Sequence, residues 1–138
     1  MLRLLAKLLT FLAVTSCFQP ALAETGISAV ALVRNNDVAC KQFCPEWYYI
    51  AGDITPATVT QLETLMADNA YRQLPVVLNS SGGDVDAAMA LGSFIRRLDL
   101  STLVAGVAFD GCGPQDQQCP PQQPHSGRIM SASRCLGS

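Results

Sequence analysis

The stretch that decides the fold is residues 74–85, which read LPVVLNSSGGDV. Residues 76–78 are apolar and rich in β-branched side chains, which is typical of a strand covered on both faces. Gly82 and Gly83 allow a tight turn and let another group approach the backbone closely. Asp84 stands where the N-cap of a helix belongs. The stretch therefore predicts a buried strand, a glycine turn and the first turn of a helix.

A glycine turn that feeds a helix N-terminus presents free N–H groups, which can hold a negative charge. That charge could be a phosphate, a carboxylate or the oxyanion of an acyl-transfer intermediate. Neither glycine-rich nucleotide motif, G-x-x-x-x-G-K-[ST] or G-x-G-x-x-G, occurs in the chain, so a nucleotide site is not predicted. The simpler alternative is that Gly82 and Gly83 only close the turn between strand and helix.

The N-terminal segment has the pattern of an export signal. Arg3 and Lys7 precede an apolar run over residues 8–14, which is too short to span a membrane. The small-x-small motif ALA ends at Ala23, where cleavage is predicted. The motif VTSC is also similar to a bacterial lipobox, in which its last residue, Cys17, would carry a lipid and begin the mature chain.

The length of 138 residues suits a single domain. Removal of residues 1–23 as a signal peptide would leave residues 24–138 as a periplasmic or secreted domain. That domain has seven basic and eleven acidic side chains, a net charge of −4, with no cluster of basic residues. Nucleic acid is therefore not expected as a partner, and a membrane is expected as one only if Cys17 is lipidated.

Five cysteines follow the predicted signal peptide: Cys40, Cys44, Cys112, Cys119 and Cys135. Export makes disulfides the expected state of these thiols, and the spacing predicts two short loops, each closed by a pair of neighbouring cysteines, with Cys135 left over. Zinc is the alternative, but the spacing is irregular and the only histidine is His125. No metal site and no cofactor is therefore predicted.

Hydrophobic patterning gives the order strand, strand, helix, strand, helix, strand, strand. Strands are predicted over 27–33, 47–51, 76–78, 102–108 and 128–133, and helices over 56–71 and 85–98. Strands that alternate with helices predict an α/β fold with a mainly parallel sheet and right-handed crossovers. Residues 109–127 are rich in proline and glutamine, which predicts a loop, with His125 as a solvated residue in it.

Several of these segments together resemble the ClpP/crotonase superfamily, and most of all its ClpP-like members in the bacterial periplasm. The matching segments are IAGDI at 50–54, VLNSSGGDV at 77–85, ALGSFI at 90–95 and LVA at 103–105. The resemblance covers roughly residues 47–138. It implies a β-β-α superhelix and serine-nucleophile hydrolysis of amides or esters.

In that family the two-glycine turn lends backbone N–H groups to an oxyanion hole, which the resemblance carries over to Gly82 and Gly83. Ser81 departs from the family, which usually has proline there. The segment CLGS at 135–138 is similar to the start of the family's nucleophile segment, with one extra residue. Ser138 is then the candidate nucleophile, and its alternative is an ordinary terminal serine.

The general base and its orienting acid follow the nucleophile in this family, and no residue follows Ser138 in the sequence. His125 precedes it and does not match the family's histidine. A serine hydroxyl without a base is a poor nucleophile near neutral pH. The resemblance therefore implies a ClpP-like fold that is incomplete at the C-terminus and inactive as a hydrolase in this form.

Two other functions remain open from the sequence. The chain could be a non-catalytic module that binds peptides or partner subunits through a sheet edge, with the aromatic strand 47–49 and the edges of the sheet as its surfaces. Unpaired edges and exposed apolar surface would favour self-association. The crotonase branch of the superfamily implies acyl-CoA chemistry instead, against which export argues because coenzyme A thioesters are cytosolic.

Overall fold

The computed structural model describes residues 28–118 and 124–130. Its elements are β1 (Ala29–Asn35), β2 (Glu46–Ala51), α1 (Pro56–Asp68), β3 (Val76–Asn79), α2 (Val85–Arg97), β4 (Thr102–Val104), β5 (Val107–Phe109) and β6 (His125–Ile129). No helix in these two ranges is long and apolar enough to cross a bilayer. The predicted signal peptide and several predicted residues lie outside the described ranges: Cys17, Ala23, Cys119, Cys135 and Ser138.

All six strands form one sheet in the order β4-β3-β2-β1-β6-β5. The predicted α/β class is confirmed, but the prediction of a mainly parallel sheet is wrong, because the sheet is mixed. Strand β1 pairs antiparallel with β2, and β5 pairs antiparallel with β6, while the other three pairs are parallel. The loop between β1 and β2 is too short for the crossover that a parallel pair needs, so these strands form a hairpin.

Both helices begin at the predicted residues because their first turns are capped locally. Thr55 precedes Pro56 at the start of α1, and its backbone N–H donates to the Oγ1 atom of Thr58 at 2.9 Å. At the start of α2, the carboxylate of Asp84 accepts the N–H of Ala87 at 2.7 Å. Such caps satisfy N–H groups that lack an intrahelical partner.

Helices α1 and α2 cover the same face of the sheet. The cluster between them and the strands consists of these buried residues: Leu32, Tyr48, Ile50, Leu62, Leu65, Met66, Val76, Leu91, Phe94, Ile95 and Leu100. Burial of a leucine- or phenylalanine-sized side chain contributes about 1.5–3 kcal/mol. This cluster therefore fixes the helices on the sheet and positions the turns between strands and helices.

The sheet is curled, because one stretch of chain forms both of its edges. Val104 ends β4 and Val107 begins β5, and only two residues separate them. Their Cα atoms are therefore at most about 11 Å apart, whereas the edges of a flat six-stranded sheet lie about 24 Å apart. The predicted single strand over residues 102–108 is thus a bent strand, whose first half pairs with β3 and whose second half pairs with β6.

The concave face of the curled sheet encloses a second apolar cluster. Its members are Val33, Trp47, Tyr49, Ala51, Val77, Ala105, Val107 and Phe109. The rings of Tyr49 and Phe109 lie 5.4 Å apart in an edge-to-face arrangement, although β1 and β6 separate their strands in the sheet order. This contact shows directly that the sheet folds back on itself.

His125 belongs to this concave face, so the prediction of a solvated loop histidine is wrong. It begins β6, pairs with Val33 of β1 and is only 8% exposed. The predicted strand over residues 128–133 begins three residues earlier in the structure. The proline and glutamine of the preceding segment predicted a loop through His125. The pairing of this strand with β1 could not be predicted, because β1 lies far away in the sequence.

Candidate functional site

The predicted glycine turn is held against the strand-to-helix connection before α1 by backbone contacts. Ile54 forms a parallel bridge with Gly83. The N–H of Ile54 donates to the carbonyl of Gly82 at 3.0 Å, and the N–H of Asp84 donates to the carbonyl of Ile54 at 2.8 Å. These bonds fix the turn before α2 begins.

The structure gives a physical reason for glycine at position 83. Its φ angle is +139°, a conformation that side chains disfavour. A Cβ atom there would lie 2.3 Å from the carbonyl oxygen of Ile54 and 2.4 Å from its nitrogen. The backbone contact therefore requires glycine. A close fit between two backbones accounts for Gly83 without any bound anion.

The donors of the turn are partly engaged. The N–H of Gly82 donates to the Oγ atom of Ser80 at 3.2 Å, and that hydroxyl donates to the carbonyl of Gly82 at 2.8 Å. The N–H of Gly83 has no hydrogen-bond acceptor within the described part of the chain. Of the two glycines that the resemblance assigns to an oxyanion hole, Gly83 is the one that offers a donor.

The turn lies where the carboxyl ends of β2 and β3 meet. Ala51 pairs with Asn79 at this end, and the N–H of Gly52 donates to the carbonyl of Asn79 at 3.1 Å. The Asn79 side chain donates to the hydroxyl of Tyr49 at 2.8 Å. Ligands commonly bind beyond the carboxyl ends of neighbouring parallel strands, as β2 and β3 are here. The position of the turn therefore suits a binding site.

The structure does not bring His125 to this turn. His125 pairs with Val33, four residues along β1 from Ala29, which pairs with Ala51 beside the turn. Four strand residues span about 13 Å. The Nδ1 atom of His125 lies 3.2 Å from the carbonyl oxygen of Cys112, and its ring meets Phe109 edge to face. His125 therefore acts as a buried packing residue in this geometry.

A charged cluster lies at the opposite end of β2, where the sequence analysis predicted no site. The Nε and Nη2 atoms of Arg34 each lie 2.6 Å from the Oε1 atom of Glu46. The guanidinium of Arg72 pairs with the other carboxylate oxygen. The side chain of Glu46 is only 5% exposed, whereas both arginines are about half exposed. The buried carboxylate thus holds two half-exposed guanidinium groups in place.

Burial and the two arginines act in opposite directions on Glu46. Burial on its own would raise the pKa of the carboxyl, but hydrogen bonds and charges from Arg72 and Arg34 outweigh it, so the pKa is lowered. The carboxylate is therefore ionised at neutral pH. A buried carboxylate with two cationic partners is well compensated, and loss of one partner would be costly.

A groove of about 590 Å³ lies over this cluster. Lys41, Phe43 and Cys44 of the β1–β2 loop line this groove together with Arg72. A disulfide joins Cys40 to Cys44, which confirms the first predicted local pair. Cys112 is also disulfide-bonded.

A signal for this cluster was present in the sequence. Arg34 and Glu46 flank a loop that is closed by its own cysteine pair, and a hairpin in that register places them opposite each other. The contribution of Arg72 could not be found in this way, because it depends on how α1 ends.

The outer edge of β4 is a further candidate surface. Its three residues are all exposed, and Val104 is 71% exposed. The backbone of Ser101 and Ala105 bonds to β3, so the N–H and C=O groups of Thr102 and Val104 point away from the sheet. Val85 and Met89 of α2 are also exposed apolar residues.

Within residues 28–118 and 124–130, no group of three or more histidine, cysteine or acidic side chains could hold a metal ion. Comparison of the chain with models of protein families, with curated proteins and with solved structures found no match.

Proposed function

We propose that the chain is an exported ClpP-like α/β domain, related to serine hydrolases, whose glycine turn can hold an oxyanion. The observation that supports it best is the N–H of Gly83, which has no acceptor among the described residues and lies two residues before α2, at the carboxyl edge of parallel strands. A helix N-terminus stabilises negative charge there. One β-β-α unit, formed by β1, β2 and α1, is of the kind that this superfamily repeats, whereas β3 and α2 form a β-α unit without a second strand.

We further propose that residues 24–138 alone do not hydrolyse peptides or esters. Hydrolysis by serine needs a nucleophile and a base within hydrogen-bond reach of each other. The described histidine, His125, lies about 13 Å along the strands from the glycine turn and faces Cys112 and Phe109. His125 therefore could not serve as the base for a nucleophile, such as Ser138, that acts at the glycine turn.

Two measurements test this proposal. Purified chain is mixed with a fluorophosphonate probe and with p-nitrophenyl acetate, and neither labelling nor turnover above that of Ser138→Ala is expected. In a nitrogen-15 NMR spectrum, added acetate is expected to shift the amide signal of Gly83 more than that of Gly82, whose N–H is engaged by Ser80. Labelling that depends on Ser138 contradicts the proposal that the chain does not hydrolyse its substrates. An unmoved Gly83 signal contradicts the proposal that the turn holds an oxyanion.

The disulfide between Cys40 and Cys44 supports the export part of the proposal. Disulfides persist in the periplasm and outside the cell and are rare in the cytosol. Intact-mass measurement of the native protein tests this directly. A chain that begins after Ala23 is expected, a lipid-bearing chain that begins at Cys17 would replace plain cleavage, and an uncleaved cytosolic chain would contradict export.

The predicted binding surface on the aromatic strand 47–49 is wrong, because β2 lies between β3 and β1 and its aromatic residues are buried. The second candidate function is therefore a non-catalytic module that associates through the edge of β4. The specific observation in its favour is the apolar edge itself, with outward-pointing backbone groups at Thr102 and Val104. Another strand can pair with such an edge and extend the sheet. A second copy of this chain is the simplest partner, because it brings the same edge.

Oligomeric state tests this second function. Light scattering on the wild-type chain is expected to show a dimer or larger species, and Val104→Lys is expected to convert it to monomer by placing a charge on the edge. Val38→Lys is the matched control, since Val38 is 94% exposed but lies on the β1–β2 loop. A wild-type monomer, or equal behaviour of the two variants, contradicts association through β4.

A further inference from the structure

We infer that the groove formed by Arg34, Arg72, Lys41 and Phe43 binds an anionic peptide segment, whose carboxylates meet the guanidinium groups while a neighbouring apolar side chain contacts Phe43. This inference concerns the amino end of β2 and does not depend on the glycine turn at the other end. The segment of β2 between them, from Glu46 to Ala51, spans about 17 Å.

The positive charge of the groove is the first reason to expect an anionic ligand. Three cationic side chains and the carboxylate of Glu46 give a local net charge of +2, whereas the whole chain carries −2. The groove is therefore positively charged although the net charge of the whole chain is negative. A concave surface with excess positive charge attracts anions and raises their local concentration.

The donors of the groove are only partly used by Glu46. A guanidinium has five N–H donors in a planar fork. Glu46 takes two nitrogen atoms of Arg34 and one of Arg72, and both arginines stay about half exposed. The remaining donors can bind a second carboxylate, and guanidinium groups bind carboxylates with paired, charge-assisted hydrogen bonds.

Arg72 is positioned before any ligand arrives. Ala70 and Tyr71 have φ angles of 54° and 51°, a backbone conformation that is uncommon for residues other than glycine and costly to hold. The hydroxyl of Tyr48, a buried residue of β2, donates to the carbonyl of Arg72 at 3.0 Å. The backbone of Arg72 and its guanidinium are thus both tied to β2, which lowers the entropic cost of binding.

Phe43 supplies the apolar part of the groove. Its side chain is 93% exposed, on a loop that the Cys40–Cys44 disulfide closes. An aromatic ring this exposed contributes nothing to the core, and aromatic residues next to arginines are common at binding surfaces. A ligand with both carboxylates and apolar side chains would use the ring and the charges together.

A peptide fits these observations better than a membrane surface. Buried Glu46 fixes Arg34 and Arg72 in a concave groove, while adsorption to anionic lipid relies on long, freely moving basic side chains on a convex or helical face. Free phosphate would satisfy the guanidinium groups but would leave Phe43 unused. Both are therefore outcomes that the experiment separates.

The experiment measures fluorescence anisotropy of a fluorescein-labelled peptide in which glutamates alternate with leucines, titrated with the disulfide-bonded protein. Its matched probe carries glutamine in place of every glutamate. Binding of the glutamate peptide alone is expected, and Arg72→Gln or Arg34→Gln is expected to weaken it about tenfold or more, as expected for lost charge-assisted hydrogen bonds. Arg96→Gln, an arginine at the end of α2, is expected to leave it unchanged.

Two further variants keep the result interpretable if the arginine variants unfold. Phe43→Ser and Lys41→Gln alter exposed loop side chains, so both are expected to fold as the wild type by circular dichroism and to weaken peptide binding several-fold. Absence of peptide binding overturns the inference. So does equal binding of the glutamine peptide, or phosphatidylglycerol vesicles or inorganic phosphate binding in place of the peptide.

Discussion

The two ends of β2 are held in different ways. At the carboxyl end, backbone meets backbone: Gly83 lies against Ile54 so closely that no side chain fits between them. At the amino end, side chains do the holding, with Glu46 between Arg34 and Arg72. At position 83 any side chain would overlap the backbone of Ile54, so this position cannot vary without loss of stability. A site built from side chains can be altered while the fold survives.

This difference matters for how each end is interpreted. The glycine motif led the sequence analysis to the carboxyl end, yet its glycines are explained in large part by the fold. The amino end bears no recognisable motif, yet it holds a buried carboxylate, two half-exposed guanidinium groups and an exposed aromatic ring. The recognisable motif lies at the carboxyl end of β2, whereas the surface with charged and aromatic side chains lies at its amino end.

The largest expected effect is that of Gly83→Ala on stability. The added Cβ would overlap the backbone of Ile54, and alanine would have to adopt an unfavourable φ angle. We therefore expect the free energy of unfolding to fall by about 3 kcal/mol or more. The control is Gly92→Ala in α2, where a Cβ meets nothing within 4 Å and should stabilise the helix by about 0.8 kcal/mol. Urea unfolding measures both, and equal effects would contradict the account of the turn.

Glu46→Gln is expected to cost about 2 kcal/mol, because it leaves two guanidinium groups without a carboxylate and buries an amide in its place. Glu63→Gln, an exposed glutamate of α1, is the control and should change stability by less than about 0.5 kcal/mol. Chemical unfolding at neutral pH compares them. Similar losses would show that the charged cluster contributes nothing to the fold.

The same carboxylate predicts a pH dependence. Because the folded protein lowers the pKa of Glu46 below its ordinary value of 4.5, the unfolded chain takes up a proton first. The stabilisation is therefore fully present above the unfolded pKa and is lost as pH falls through the lower folded pKa. Wild-type stability is expected to fall more steeply than that of Glu46→Gln in this acidic range, and parallel curves would contradict the assignment.

Asp84→Ala is expected to have the smallest effect, a loss of about 1 kcal/mol, because it removes the side-chain cap at the start of α2. Asp86→Ala is the matched variant in the first turn, where only the interaction with the helix dipole is lost, about 0.3–1 kcal/mol. Thermal unfolding followed by circular dichroism ranks the two. The reverse order would mean that the dipole outweighs the cap.

Features that depend on residues close together in the sequence, such as the helix starts and one disulfide, were predicted correctly. Thr55 before Pro56 and Asp84 after two glycines marked the helix starts correctly, because a cap depends on residues within one turn. The local cysteine pair Cys40–Cys44 was also predicted, from the export signal together with the spacing. Each of these depends on contacts between residues close together in the chain.

Features that depend on distant pairing were missed. The burial of His125 requires β6 to pair with β1 across most of the chain, and the bend between Val104 and Val107 shows only when both edges of the sheet are known. Arg72 reaches Glu46 only because α1 stops at Asp68 and the next residues turn. Helical periodicity, which extended α1 to residue 71, carries no information on that turn.

The shared segment of β4 and β5 also has a consequence for the folding rate. The first half of this segment pairs with β3 and the second half with β6, so the sheet is complete only when β6 also pairs with β1, at the opposite end of the described chain. Loop closure over so many residues is entropically slow. We expect the β1–β2 hairpin and the helices to form first, and the concave cluster around Tyr49 and Phe109 to become buried last.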